Sequence, residues 1–181
     1  TEVQKYLAAK GRKIIGWDEL LECNVDQSAT IMSWRGAEPG AQAAALGHDV
    51  IMTPNSHAYF DYYQTANNHN EPLLIGGDLP IEKTYSFEPI PEGTPAEAGK
   101  HILGVQANLW SEYIVSEPLA EYQVLPRMGA LSEVQWMQPA QKNFKSFVKR
   151  VECLRAIYEL KGYTYAKHLW PEEHLKGSRE L

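Results

Sequence analysis

One arrangement recurs four times along the chain and limits how it can fold. In each copy a short apolar run ends in Trp or Tyr beside a charged side chain. Short apolar runs are typical of buried parallel strands, and ligands bind at the carboxyl ends of such strands. We therefore predict a pocket lined by aromatic and acidic side chains, which suits a sugar. The copies are KIIGWDE (13–19), TIMSWRG (30–36), DVIMTPNSHAYFD (49–61) and HILGVQANLWSE (101–112).

Helical patterns alternate with these runs and predict an α/β fold built on a parallel sheet. The fourth strand is expected over 102–109. A helix is expected after this strand, and Pro126 is expected to bend or interrupt that helix. The Pro- and Gly-rich segment 62–99 is too long for an ordinary connection and suggests a functional loop with one short helix. The predicted helices are 1–10, a segment after Gly36 that ends at Gly47, 80–87, 119–136 and 144–160.

Composition excludes several classes of partner. The net charge is −6 and no basic block offsets it, which argues against nucleic acid. No apolar run reaches the roughly 18 residues of a membrane span. Cys23 and Cys153 neither require nor exclude a disulfide, and they lie outside any zinc-binding spacing. The sequence calls for no metal and no cofactor.

Five motifs occur in the order and spacing of family 20 glycoside hydrolases, the β-N-acetylhexosaminidases, and the chain resembles that family over nearly its whole length. The phrase LPIEKTYSFEPIP is similar to the bacterial branch. The resemblance implies a partial (β/α)8 barrel, in which residues 1–181 supply the last four βα units, strands five to eight, and the C-terminal helices. It also implies a periplasmic or secreted parent. The motifs are GWDE (16–19), SWRG (33–36), AYFD (58–61), NLWSE (108–112) and LPRMGALSEVQW (125–136).

The resemblance assigns the aromatic residues to an acetamido pocket. Trp17, Trp34 and Trp110 would enclose the N-acetyl group of a terminal N-acetylhexosamine, and the Tyr59 hydroxyl would donate to the acetamido carbonyl oxygen. A dry aromatic box suits an acetamido methyl group. The plainer alternative for each tryptophan is a place in the hydrophobic core.

Two acids complete the implied site. Asp61 and Glu112 would accept hydrogen bonds from sugar hydroxyls, because charged acceptors bind hydroxyl groups well. A plainer role for Glu112 is a favourable charge near a helix N-terminus. Residues 163–181 are polar and mixed, and we expect them to form a loosely packed tail.

The family's chemistry is substrate-assisted and retaining. Its general acid Glu and partner Asp belong to an HxGGDE-type motif, which this sequence lacks. Asp18 and Glu19 lie in the fifth-strand motif and are expected to be structural, fixing Trp17 or a nearby loop. The chain is thus predicted to be an inactive fragment of a hexosaminidase that acts on terminal GlcNAc or GalNAc.

Two alternatives remain open. The chain could be a non-catalytic sugar-binding or interaction module on the same fold, or a hydrolase whose acid is Asp18 or Glu19. The expected partners are a carbohydrate and the missing N-terminal half of the barrel. Four strands without that half would leave open sheet edges, through which the chain could self-associate.

Overall fold

The computed structural model describes residues 1–170. Its four strands are β1 (Ile15–Trp17), β2 (Thr30–Ser33), β3 (Val50–Met52) and β4 (Ile102–Val105). They form a parallel sheet in the order β1-β2-β3-β4. Each strand pairs with the next one along the chain, as expected for successive βα units, and the predicted α/β class is confirmed.

Helices separate and follow these strands. A 3₁₀ helix, Asp18–Glu22, comes directly after β1, and a second, Pro139–Gln141, precedes the last helix. The α-helices are α1 (Glu2–Ala8), α2 (Ala37–Ala45), α3 (Asn55–Ala58), α4 (Ile81–Ser86), α5 (Ala96–Gly99), α6 (Glu117–Val124), α7 (Arg127–Trp136) and α8 (Phe144–Lys161).

Local sequence signals account for several helix ends. Thr1 and Gln4 form a capping box at the start of α1, and the Asn143 side chain accepts the backbone N–H of Ser146 at 2.9 Å at the start of α8. Gly162 ends α8 in the left-handed conformation that glycine adopts readily. Pro126, as predicted, interrupts the helical pattern between α6 and α7, because proline cannot continue a helix.

The chain divides into two compact units. The first unit comprises Thr1–Ser56 and Glu88–Gln106 and contains the whole sheet; the second comprises His57–Phe87 and the described residues from Ala107 onward. Buried side chains of β2 and β3 form much of the first unit's core, including Ile31, Val50 and Met52. In the second unit, Tyr85 of α4 stacks on Phe147 of α8 at a centroid distance of 4.8 Å. Each unit therefore has apolar packing of its own.

The fourth strand is shorter than predicted. β4 ends at Val105 rather than at residue 109, and the register between β3 and β4 shifts between Val50 and Ile51. The strand pairing is irregular here because Gly104 has a φ of 153°, a backbone conformation that favours glycine. Beyond the strand, an isolated parallel bridge joins Tyr59 to Asn108 within the second unit.

The start of the predicted tail makes specific contacts. Tyr165 and Ala166 are buried, the backbone N–H of Thr164 donates to Glu121 Oε2 at 2.7 Å, and that of Ala166 donates to the carbonyl of Leu125 at 3.0 Å. These residues are therefore packed rather than loose. The rest of that prediction concerns 171–181, which lie outside the described residues.

Cys23 and Cys153 are both exposed and free. Within residues 1–170, no helix is long and apolar enough to cross a membrane.

Candidate functional site

An aromatic corner forms in the second unit where two loop segments run side by side. The backbone N–H of Phe60 donates to the carbonyl of Asn108 at 2.7 Å, and the N–H of Asn108 donates to the carbonyl of Ala58 at 2.8 Å. This pairing brings the rings of Tyr59 and Trp110 to a centroid distance of 6.2 Å, edge to face at 61°. Tyr59 is buried, whereas Trp110 is 39% exposed.

A buried carboxylate lies beside this corner. Asp61 is only 5% exposed, and its Oδ1 has no hydrogen-bond partner among the described residues. Burial raises the pKa of Asp61, and the charge of Glu112 raises it further, whereas the backbone N–H of Trp110 and the Arg127 charge lower it. A buried acceptor without a donor is costly, so the ionised form of Asp61 is disfavoured at this position.

Glu112 follows two residues after Trp110 and is exposed. It lies before α6, whose N-cap is Ser116, so it is not in the first turn of that helix. Its charge acts on Asp61, which places both acids in one electrostatic neighbourhood. The second unit therefore brings together Tyr59, Asp61, Trp110 and Glu112.

Arg127 is a residue of this region that the sequence reasoning missed. It begins α7, is fully buried, and donates to the backbone carbonyl oxygens of Phe60 at 2.5 Å, Tyr62 at 3.2 Å and Leu79 at 3.1 Å. Burial lowers its pKa to about 9, which still leaves it charged at neutral pH. A signal was available: a lone cation within the apolar helical stretch LPRMGAL requires buried partners.

In the first unit, adjacent acids hold the second tryptophan of the motif set. The backbone N–H of Trp34 donates to Asp18 Oδ2 at 2.9 Å, and its indole Nε1 donates to Glu19 Oε1 and Oε2 at 3.0 and 3.1 Å. Trp34 itself is partly buried, directly after β2. The carboxylates therefore fix both the backbone and the ring of one predicted sugar-contacting residue.

Asp18 is committed to further bonds. It is fully buried, and it also accepts the backbone N–H of Arg35 at 3.1 Å and the Nε of Arg35 at 2.5 Å. Arg35 in turn donates to Glu22 Oε1 at 2.7 Å. With both carboxylate oxygens occupied, Asp18 has the structural role predicted for it, through Trp34 and Arg35.

Trp17 ends β1, where it pairs in register with Met32 of β2. Trp34 lies two residues beyond Met32, so the two tryptophans follow the ends of adjacent parallel strands in the first unit. Trp17 is partly buried, which suits a side chain with one packed and one accessible face.

Among residues 1–170, no group of three or more His, Cys, Asp or Glu side chains could hold a metal ion. The polar groups of the second-unit site are instead one buried acceptor, one exposed acid and a phenol. Such groups bind neutral polar ligands through hydrogen bonds.

Comparison with known proteins identifies the family. The sequence model of the glycosyl hydrolase family 20 catalytic domain matches residues 1–139. The chain belongs to glycosyl hydrolase family 20. The resemblance drawn from its five motifs is thereby confirmed.

Curated relatives of this family 20 chain carry a consistent name. A β-hexosaminidase from Porphyromonas gingivalis is 41% identical over 181 residues, which are 99% of this chain and 23% of the relative. A β-hexosaminidase from Vibrio furnissii is 31% identical over 133 residues, 71% of this chain and 21% of the relative. The chain thus spans less than a quarter of the length of either relative.

Solved structures share the fold. An exo β-N-acetylglucosaminidase of the family from Vibrio harveyi, in complex with N-acetylglucosamine, has a TM-score of 0.82 at 29% identity; the match covers 92% of this chain and 26% of that one. A β-N-acetylhexosaminidase from Streptomyces coelicolor gives 0.80 at 22% identity and supports the fold alone, covering 91% of this chain and 34% of its own. The predicted partial (β/α)8 barrel is confirmed.

Proposed function

We propose that this family 20 chain is part of an exo-acting β-N-acetylhexosaminidase that hydrolyses terminal β-linked N-acetylhexosamine, GlcNAc or GalNAc. The observation that carries the proposal is the acidic side chain of Asp61 beside the edge-to-face pair of the Tyr59 and Trp110 rings. A carboxylate next to an aromatic face fits a sugar, which offers hydroxyl donors and an apolar ring face. The names of the relatives support the same activity.

The second-unit residues have distinct proposed roles. Tyr59 donates its hydroxyl to the acetamido carbonyl oxygen and is the catalytic residue of this chain. Asp61 and Glu112 accept hydrogen bonds from sugar hydroxyls, and the exposed face of Trp110 packs against the N-acetylhexosamine. The support is the edge-to-face contact of the Tyr59 and Trp110 rings and the effect of the Glu112 charge on the pKa of Asp61.

The first-unit tryptophans are proposed to contact the N-acetyl group. The support for Trp34 is local: Glu19 holds its indole N–H and Asp18 its backbone N–H, so the ring is fixed before any ligand binds. A fixed aromatic surface loses little conformational entropy on binding. The support for Trp17 is its position at the end of β1 and its match to the family motif.

The proposed reaction is substrate-assisted. The acetamido carbonyl oxygen attacks the anomeric carbon, and the glycosidic oxygen leaves with a proton from a general acid Glu. Water then adds to the anomeric carbon of the oxazolinium intermediate and gives one proton to the deprotonated Glu, and the carbon–oxygen bond to the acetamido oxygen breaks so that the acetamide re-forms. Hydrogen bonding by Tyr59 aligns the attacking oxygen and supports the charge that develops on the amide.

We place the general acid outside this chain, which has no HxGGDE-type motif. Asp18 is a poor substitute because two backbone N–H groups and Arg35 occupy its oxygens. The full enzyme would then require the rest of the barrel, in line with the small share of each relative that the chain covers.

The test compares the purified 181-residue chain with the longer protein that contains it, using an aryl β-N-acetylglucosaminide as substrate. We expect turnover by the longer protein and none by the chain. Robust hydrolysis by the chain alone would refute the placement of the acid, and an inactive longer protein would refute the activity.

The alternative is a sugar-binding module without catalysis, which the names of the relatives do not favour. Titration of the isolated chain with N-acetylglucosamine distinguishes the two. Measurable binding that is unaffected by supplying the rest of the barrel would favour the module.

A further inference from the structure

A buried cation supports the backbone on both sides of Asp61. The guanidinium of Arg127 donates to the carbonyl of Phe60, the residue before Asp61, and to that of Tyr62, the residue after it. Its remaining bonds go to the carbonyl of Leu79 and to the carbonyl and side-chain oxygen of Gln123. The guanidinium also lies over the Phe60 ring, 4.8 Å from the centroid.

This set of partners is unusual for a buried arginine. A guanidinium ordinarily forms a bidentate pair with a carboxylate, which offsets the cost of burial. Here every described acceptor of Arg127 is a neutral oxygen, although the carboxylate of Asp61 is close enough for its charge to oppose the fall in the Arg127 pKa. The cation thus favours the ionised form of Asp61 and leaves Asp61 Oδ1 unbonded.

We propose that Arg127 is a positioning residue for sugar binding, which fixes the Phe60–Tyr62 backbone and compensates the Asp61 charge without forming a bond of its own to the carboxylate. The proposal rests on the function given above. This role of Arg127 goes beyond packing, because an arginine that served stability alone would form a stronger hydrogen bond by donating directly to the carboxylate.

Two properties of Arg127 can be separated by substitution. Arg127→Lys keeps a positive charge but loses the planar fork that bonds several carbonyls at once. Arg127→Met loses both. A matched control is Arg150→Met, because Arg150 forms its bidentate contact with Glu133 at the exposed surface, with N–O distances of 2.8 and 2.7 Å.

The test measures kcat, KM and pH profiles of these variants in the longer protein with the aryl β-N-acetylglucosaminide. We expect Arg127→Lys to raise KM by about tenfold or more, as misplaced binding groups do, with the acid limb of the profile unchanged. Arg127→Met is expected to raise KM and to move the acid limb to higher pH. The direction follows because the Arg127 charge lowers the pKa of Asp61, whereas the Glu112 charge raises it, so that Asp61 without the cation takes up its proton at higher pH.

Several outcomes decide the proposal. If both Arg127 variants match the Arg150→Met control in KM and pH profile, the proposal is overturned while the proposed activity stands. If the unsubstituted protein shows no turnover, the proposed activity has failed. Should the Arg127 variants not fold, Gln123→Leu removes one acceptor and keeps the cation; a KM unchanged from that of the control would then overturn the proposal, and a several-fold increase would support it.

Discussion

Asp18 Oδ2 accepts the backbone N–H of Trp34 at 2.9 Å, across a separation of 16 residues in the chain. Glu19 continues the contact by accepting the indole N–H of the same tryptophan. An Asp-Glu pair that resembles a catalytic acid and its partner is therefore occupied in holding an aromatic side chain.

This arrangement predicts the effect of removing the charge of Glu19. In Glu19→Gln the indole N–H keeps an oxygen acceptor but loses a charged one, so we expect a modest loss of N-acetylglucosamine affinity, about threefold to tenfold. Turnover by the longer protein should persist. Complete loss of hydrolysis with normal sugar binding would instead identify Glu19 as the acid. Glu97→Gln, at an exposed pair with Lys100, serves as the control.

A second prediction concerns Asp18 and stability. Asp18→Asn leaves the backbone donors of Trp34 and Arg35 with a weaker acceptor and removes a buried partner of the Arg35 cation. We expect a loss of about 2–4 kcal/mol in the free energy of unfolding, because weakening these hydrogen bonds leaves buried polar groups without adequate partners. Urea denaturation of the 181-residue chain measures it. A change as small as that of Glu97→Gln would contradict the prediction.

The ionised carboxylate of Asp61 is expected to lower the stability of the folded chain and to strengthen sugar binding. Because burial raises its pKa above the ordinary value of 3.8, the folded chain binds this proton more tightly than the unfolded chain does. The free energy of unfolding therefore falls as pH rises through the folded pKa, and the ionised carboxylate costs stability at neutral pH. Asp61→Asn should raise the midpoint of thermal unfolding at pH 7 and make the free energy of unfolding less dependent on pH. It should also weaken N-acetylglucosamine binding.

The two measurements on Asp61→Asn check each other. A variant that is less stable at pH 7 than the unsubstituted chain would show that Asp61 is satisfied without a ligand. Unchanged sugar affinity would remove Asp61 from the proposed site.

Tyr59→Phe isolates the phenolic hydroxyl. The ring packing against Trp110 and Tyr62 should survive, since both contacts involve ring edges and faces. We expect kcat/KM of the longer protein to fall about a hundredfold to a thousandfold, the usual effect of losing one donor to a developing charge. Near-ultraviolet circular dichroism verifies the packing. Activity within threefold of the unsubstituted protein would exclude the proposed hydrogen bond.

The sheet predicts self-association of the isolated chain. Among the described strands, β1 and β4 each have a single neighbour, and they carry Ile15 at 62% exposure and Leu103 at 61%. Unpaired strand edges with exposed apolar side chains favour pairing between copies. Size-exclusion chromatography should show a mass that rises with concentration, and Leu103→Lys should reduce the increase. A stable monomer at all concentrations would contradict this.

Local sequence patterns were sufficient for the order of the four strands and of the longer helices, but they missed the two four-residue helices Asn55–Ala58 and Ala96–Gly99. The apolar runs fixed where β1 to β3 lie, and the Pro126 interruption could be read directly because proline lacks the required N–H. The end of β4 was misjudged because apolar residues recur as far as Leu109, alternating with Gln106 and Asn108, whereas the strand ends at Val105. Apolar character indicates that a residue is buried, but it does not show which backbone groups form hydrogen bonds.

The site was predictable only in part. Tyr59, Asp61 and Trp110 follow strand ends, so the convergence of these three within the second unit could be expected. The bonds of Arg127 could not, because its acceptors are backbone carbonyls up to 67 residues away and carbonyls carry no sequence signature. The contact of Glu19 with the Trp34 ring was similarly hidden, since it depends on the turn after β1.

The contacts of Arg127 also bear on how the chain is made. Its acceptors on Phe60 and Leu79 leave the ribosome 67 and 48 residues before the guanidinium that joins them. During synthesis, which completes N-terminal portions first, these carbonyls must stay hydrated until the start of α7 emerges. The segment around Asp61 thus cannot take its final form as it is translated, and a pause or truncation before codon 127 would leave these carbonyls without their buried donor.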